Sequence, residues 1–344
     1  MAAQAHSNRL RGLTPSERRW LALFGAMVRS WANLVPIIAL TLGFGVLAHG
    51  FLAPSNLAAI IEQSAIPVVL ATGLSFVVLS GAIDLSIEGV MATTSVVVAL
   101  VVANNINQND FGLLGVVLTI GVGAAYGFFN GWINAYLRIP SFVVTLGTWS
   151  IGVGIGTSLL ATFASNGNPG LQEGWLRDLA LLGPLSLSRI TLIAVVVVGA
   201  GWWLQHYSAF GRRITAIGGG EEIARFSGIP VDAYKVAVFV LAGALSGLAG
   251  VLTSARLGAG TVSVGADTLF TAITAVVIGG TPLSGGRGGV IQSVVGVLTL
   301  SVLADGMILA GVPPFYQQAI KGVLILGALI AAGWRLRRPL RVVK

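Results

Sequence analysis

Few residues in this 344-residue chain could do chemistry, and their types narrow what that chemistry is. There are twelve Asp and Glu, three His and no Cys. Without cysteine there is no disulfide framework, thiolate metal site or thiol nucleophile. His6, His49 and His206 lie far apart and show no ligand spacing, so no metal site is expected. Neither HExxH nor GxxxxGK[ST] occurs, which leaves no zinc-hydrolase helix and no phosphate-cradling P-loop. What remains is a small set of polar groups in apolar surroundings. In Ser80–Gly89 (SGAIDLSIEG) Asp84 stands between two apolar runs, with Glu88 one turn later. Asp84 reads either as a cap accepting the free amides of the next helix or as a gate residue, since an ionisable group at the end of a membrane segment is costly without a role. Asn130 and Asn134 are four apart and share a helix face. They could line a path or simply hydrogen-bond a neighbouring helix. Asp84, Glu88, Asn130 and Asn134 are the candidate polar lining of a path through the molecule.

The elements that must position these groups follow from composition. Hydrophobic residues make up 55% of the chain and charged ones 9%, against about 25% charged in soluble domains. That excludes an ordinary cytosolic enzyme and a disordered chain. The solvent is lipid, and non-alternating runs such as Val96–Ala103 point to helices rather than a barrel. Apolar segments fall near 34–50, 60–80, 85–103, 111–137, 142–163, 190–207, 234–256, 288–310 and 316–333. Thr268–Gly280 is a tenth, short enough to be re-entrant or tilted. The expected fold is an all-α polytopic membrane protein of about ten transmembrane helices.

Charge placement sets the orientation. With both termini inside, sixteen Lys and Arg fall on the cytoplasmic side and three outside, with Lys321 left within a helix. This favours an N-in, C-in chain, with a basic cytoplasmic segment 1–33, a transmembrane domain 34–333 and a basic cytoplasmic tail 334–344. The same placement argues against nucleic acid as the partner of a chain with net charge +8. Asn130-Gly131 before Ile139-Pro140-Ser141-Phe142 is echoed by Asp305-Gly306 before Val312-Pro313-Pro314-Phe315, as an inverted five-helix repeat would give. Asp305 and Lys321 each lie about five residues from the loop between their helices, about 7 Å deep at ~1.5 Å per residue. They are expected to form a structural ion pair, the alternative being a Lys321 that snorkels to the interface. Gly243, Gly247 and Gly250 give small-xxx-small spacing for close helix contact.

The longest internal connection, about 208–233, contains GGGEEIARFSGIP. Glu221 and Glu222 suit a helix N-terminus, and Gly228 and Pro230 end the helix. Ile223, Phe226 and Ser227 then share a side of a short helix that is either a docking knob or a solvated loop. The glycine-rich Ile278–Gly289 (IGGTPLSGGRGG) reads as a tight charged turn.

At these stretches the chain resembles the inner-membrane permease subunit of ribose-type ABC sugar importers, relatives of the branched-chain amino-acid permeases. The resemblance rests on Ser80–Ser86, Asn130–Phe142, Gly211–Arg213, Ala216–Gly218, Ala224–Ile229, Ala275–Gly289 and Asp305–Lys321, in order over about residues 34–333. It implies pairing with a second permease copy as a homodimer or heterodimer. It implies a periplasmic solute-binding protein outside and cytoplasmic ATP-binding subunits inside. Those subunits would dock on the loop holding Glu221, Glu222, Ala224, Arg225, Phe226, Ser227, Gly228 and Ile229, and would carry the ATP and magnesium. The permease would bind no cofactor and catalyse no reaction. The chain departs from the family's usual pattern at Ala82, Glu88 and Gly220, and Glu88 adds a charge that leaves the cargo open among sugars and sugar-like solutes.

Two rivals remain at this point. An ion-coupled secondary transporter of a small polar solute would want carboxylates at mid-membrane on broken helices, whereas these cluster near segment ends. An intramembrane enzyme would need a Ser/His, HExxH or paired-Asp site within the spans.

Overall fold

The computed structural model describes residues 34–107, 109–163, 169–172, 174–183, 187–263 and 268–336. The basic segment 1–33 and the end of the tail lie outside the described residues. Among them the chain is helical, without a strand: α1 (Val35–Leu47), α2 (Pro54–Leu79), α3 (Ile87–Val101), α4 (Gly112–Tyr136), α5 (Ser141–Phe163), α6 (Arg189–Tyr207), α7 (Ala209–Gly219), α8 (Glu221–Phe226), α9 (Val231–Leu257), α10 (Thr268–Ile278), α11 (Val290–Leu309) and α12 (Pro314–Leu336). A helix occupies each of the ten expected segments, and α7 and α8 fill the long connection.

Lengths refine the expectation. Among the described residues six helices, α2, α4, α5, α6, α9 and α11, are long and apolar enough to cross a membrane. In contrast, α1, α3 and α10 have 13, 15 and 11 described residues. At ~1.5 Å per residue α10 is only about 16 Å long, half the hydrocarbon thickness, as its short apolar run suggested. Helix α2 begins six residues earlier than its apolar run, because Pro54 at its first turn lacks the N–H a helix start leaves unpaired and has φ set for it.

Helix α2 is the centre of the bundle, with almost every residue from Ser64 to Leu79 buried. It packs against α11, α9 and α6, and Ser75 Oγ donates to Ser293 Oγ of α11 at 2.7 Å. The most intimate packing is α4 on α9. Gly123, Gly127 and Gly131 of α4 face Gly243, Gly247, Phe239 and Val236 of α9 so closely that added methyl groups would strike backbone. The small-residue spacing read in α9 is met by a matching row in α4, which lets the two helices touch without side chains between them. Gly250 meets α3 instead, at Met91 and Thr94.

Candidate functional site

Three connections that are distant in sequence converge at one end of the bundle. Residues 80–86, the end of α7 and the turn 279–289 meet backbone to backbone. The Gly286 N–H donates to Leu79 O at 3.0 Å. A Cβ on Gly218 would stand 2.6 Å from the Gly286 nitrogen, and one on Gly285 would stand 2.7 Å from the Gly81 nitrogen. Gly81, Gly285 and Gly286 also have φ of +82°, +77° and +74°, a region that disfavours any side chain. Gln205, near the end of α6, holds the same turn at two points. It donates to Gly288 O and accepts from the Val290 N–H, both at 2.9 Å.

The Asp84 carboxylate is buried beside this hub. Its Oδ1 accepts from the Ser86 backbone N–H at 2.8 Å and from the Ser86 hydroxyl. Ser86, the N-cap of α3, makes no side-chain cap bond of its own. Asp84 therefore fixes the residue before the helix rather than capping first-turn amides, which corrects the capping expectation. Burial pushes the Asp84 carboxyl above the ordinary carboxylate range, with the two bonds from Ser86 pulling the other way. Asn130 Nδ2 of α4 donates to Ser86 Oγ at 2.8 Å, so Asp84 and Asn130 are joined through one hydroxyl. Asn130 Oδ1 is buried without a hydrogen-bond partner among the described residues. Asn134, a turn further on, donates to Ile139 O at 2.9 Å and ties the end of α4 to the loop after it. Glu88 sits half-buried in the first turn of α3. The loop itself is pinned to α5, since Ile83 N–H and Leu85 N–H donate to Ser141 Oγ and Thr145 Oγ1, both at 3.0 Å.

Beyond the hub, α7 and α8 project. Gly220 separates the two helices, and Gly228, at φ +79°, turns the chain back into α9. Ala224 packs with Ile217 and Val231, against which Ile229 also lies. Charge braces the tip: Arg225 makes a forked pair with Asp232 at 2.7 and 2.9 Å, and Lys235 reaches Glu221 at 2.6 Å. The bonds it donates to Asp232 hold the Arg225 guanidinium above its already high ordinary value. Glu222 enters none of these pairs. Ile223 and Phe226 stand 72% and 91% exposed on the outer side of α8, and Ser227 is exposed beside them. The residues of α8 thus divide into an internal brace (Glu221, Arg225) and an outer face (Glu222, Ile223, Phe226).

A cluster that sequence reasoning missed lies at the other end. Glu62 of α2 accepts from the Ser188 N–H (3.0 Å), the Ser188 hydroxyl (2.6 Å), the Thr191 hydroxyl and Arg256 Nη2 (2.8 Å). Arg256 also donates to Glu62 O at 2.8 Å. One carboxylate therefore joins α2, the start of α6 and the end of α9. Asp305, expected opposite Lys321, is buried and accepts from Asn56 Nδ2 at 2.7 Å.

The geometry is that of a helical bundle with three connections packed together at one end, under a projecting apolar knob. Residues 56–329 match the family described as the branched-chain amino acid transport system / permease component. The chain belongs to this permease family. It is 33% identical to the ribose import permease protein RbsC of Escherichia coli K12 over 92% of its own length and 97% of that protein's. It is 34% identical to RbsC of Bacillus subtilis 168 over 89% and 94%. It is 33% identical to the xylose transport system permease protein XylH of E. coli K12 over 92% and 94%. No solved structure matches the chain. As a permease of this family it is an inner-membrane transport subunit, in keeping with its six long apolar helices.

Proposed function

We propose that this permease forms, with a second identical or related copy, the transmembrane path of an ABC importer for a pentose-class sugar. A periplasmic binding protein delivers the solute, and cytoplasmic ATP-binding subunits carrying ATP and magnesium drive its passage. The observation that carries the reading is the α8 tip. Glu221 and Arg225 are spent on bracing it against α9, while Phe226 and Ile223 are left to solvent. An apolar anchor on a braced scaffold suits insertion into a partner's pocket. The likeness to ribose and xylose permeases over 92% of the chain supports a pentose as its solute.

In this reading the hub and α8 are cytoplasmic, both termini are inside, and α1–α6 with α9–α12 make ten helices in the membrane plane. The packing of α2 on α11 and of α9 on α4 supports an inverted repeat, because each pair joins the second helix of one half to the fourth of the other. Asp84, Glu88, Asn130 and Asn134 lie near the cytoplasmic end of the path. The free acceptor of Asn130 supports that placement. Asp305 serves structure, tying α11 to Asn56 at the start of α2.

The test is reconstitution in proteoliposomes with the binding protein and ATPase. The wild type is expected to import D-ribose or D-xylose only with ATP. Phe226→Asp should lose at least about tenfold in uptake, as expected for a buried interface anchor, while inserting normally. Uptake driven by an ion gradient without an ATPase would overturn the reading.

A further inference from the structure

A cavity of about 120 Å³ lies between α2, α10, α11 and α12, walled by Gln63, Thr271, Thr274, Leu300, Ser301 and Lys321. Its place in the fold is the end opposite the glycine hub, since Gln63 adjoins Glu62, whose partner Arg256 is at the far end of α9. Along the helices its walls lie well away from the helix ends, with Gln63 exposed at the rim. Gln63 is nine residues into α2 and Ser301 eight residues before the end of α11, about 14 and 12 Å at ~1.5 Å per residue.

The walls are mainly apolar, but polar groups interrupt them at a depth where lipid would favour none. An ionisable or amide side chain at membrane depth faces the bundle interior or a water-filled cavity, and here Gln63 and Lys321 converge on one space. The hydroxyls sharpen the point. Most hydroxyls buried in these helices, among them Ser64, Thr72, Thr119, Thr253 and Thr299, donate to the carbonyl four residues back. Thr274 does so too, to Phe270 O at 2.6 Å. Thr271, Ser301 and the Gln63 amide make no side-chain hydrogen bond among the described residues. They line the cavity, whose volume is about eight times the ~15 Å³ that one water requires. Among the described residues no carboxylate lines it.

Resting on the function proposed above, we propose that this cavity is a binding station for a neutral polyhydroxylated solute of monosaccharide size, held by Gln63, Thr271, Ser301 and Lys321. Such a solute offers alternating O–H donors and acceptors around a ring, which the amide, two hydroxyls and an ammonium can meet on several sides. Leu300 supplies an apolar wall for a sugar's C–H face. The station is distinct from the Asp84–Asn130 cluster and lies nearer the end where solute arrives.

The chain has no native cysteine, so single-cysteine variants report access directly. Ser301→Cys, Thr271→Cys and the control Thr299→Cys are placed in the full reconstituted transporter and treated with 2-aminoethyl methanethiosulfonate. Uptake of radiolabelled D-ribose and D-xylose and ATPase activity are read before and after treatment. Ser301→Cys and Thr271→Cys should react at least about tenfold faster than the buried Thr299→Cys. Once labelled, they should lose at least tenfold of uptake while ATPase activity stays within twofold. If both cavity cysteines react no faster than the control, or if labelled protein imports at the untreated rate, the station does not exist. Absence of ATP-driven uptake by the untreated wild type counts against the functional reading instead, because labelling rates are read independently of transport.

Discussion

Replacing Glu62 by alanine removes one acceptor from four donors on two other helices, and the structure fixes how that loss should be distributed. Glu62 and Arg256 are 17% and 29% exposed in their side chains, so their pair is mostly withdrawn from water. Breaking a buried pair from one side costs about 3–5 kcal/mol. Partial exposure puts Glu62→Ala near the lower figure, about 3 kcal/mol, with Ser188 and Thr191 orphaned along with Arg256. Arg256→Ala is a milder change. The carboxylate then keeps both hydroxyls and the Ser188 amide, so only about 1–2 kcal/mol should be lost, the scale of a bond to a charged group. Equilibrium unfolding in mixed dodecylmaltoside and SDS micelles, followed through the eight tryptophans, measures both variants. The double variant should show a coupling of about 1–2 kcal/mol, as groups in one network do. Equal losses for the two single variants, or additive losses in the double, would refute the idea that Glu62 is the shared centre.

Two further outcomes follow from the other end. Glu222→Lys, outside the brace, should lower ATPase-coupled uptake without changing thermal stability, whereas Glu221→Gln should loosen α8. Limited proteolysis within 219–230 at matched insertion separates the two. Gly218→Ala places a methyl 2.6 Å from the Gly286 nitrogen, and overpacking of this kind costs about 1–3 kcal/mol. Detergent melting should detect that loss, while Gly219→Ala, with open space around it, should melt like the wild type.

The ten helical segments were legible because lipid demands long apolar runs, and the structure places a helix in every one. The α9 glycine spacing was equally legible, since close approach needs small residues at one-turn intervals. What the sequence could not supply was partnership across distance. Ser86 and Asn130 are 44 positions apart, and Glu62 and Arg256 are 194 apart, with no periodicity linking either pair. Glu62 carried a faint signal, a carboxylate near the start of a span. But α2 begins at Pro54, which draws Glu62 into the third turn, where it must find donors. In the long connection, Glu221 was read as a docking contact together with Glu222. The turn at Gly228 brings Lys235 back onto Glu221, and only the fold could show that one of two adjacent glutamates is already engaged.

The convergence of residues 80–86, the α7 terminus and the 279–289 turn has a mechanical meaning. Side chains packed together can absorb a small displacement by changing rotamer, but peptide planes in direct contact have no such slack. Gly81, Gly218, Gly219, Gly285 and Gly286 meet through backbone alone. A tilt of α7 therefore carries the roots of α3 and α11 with it, and the three connections behave as one stiff plate. Force applied at Phe226 would arrive at the feet of the membrane helices as a lever stroke rather than being dissipated in the loops.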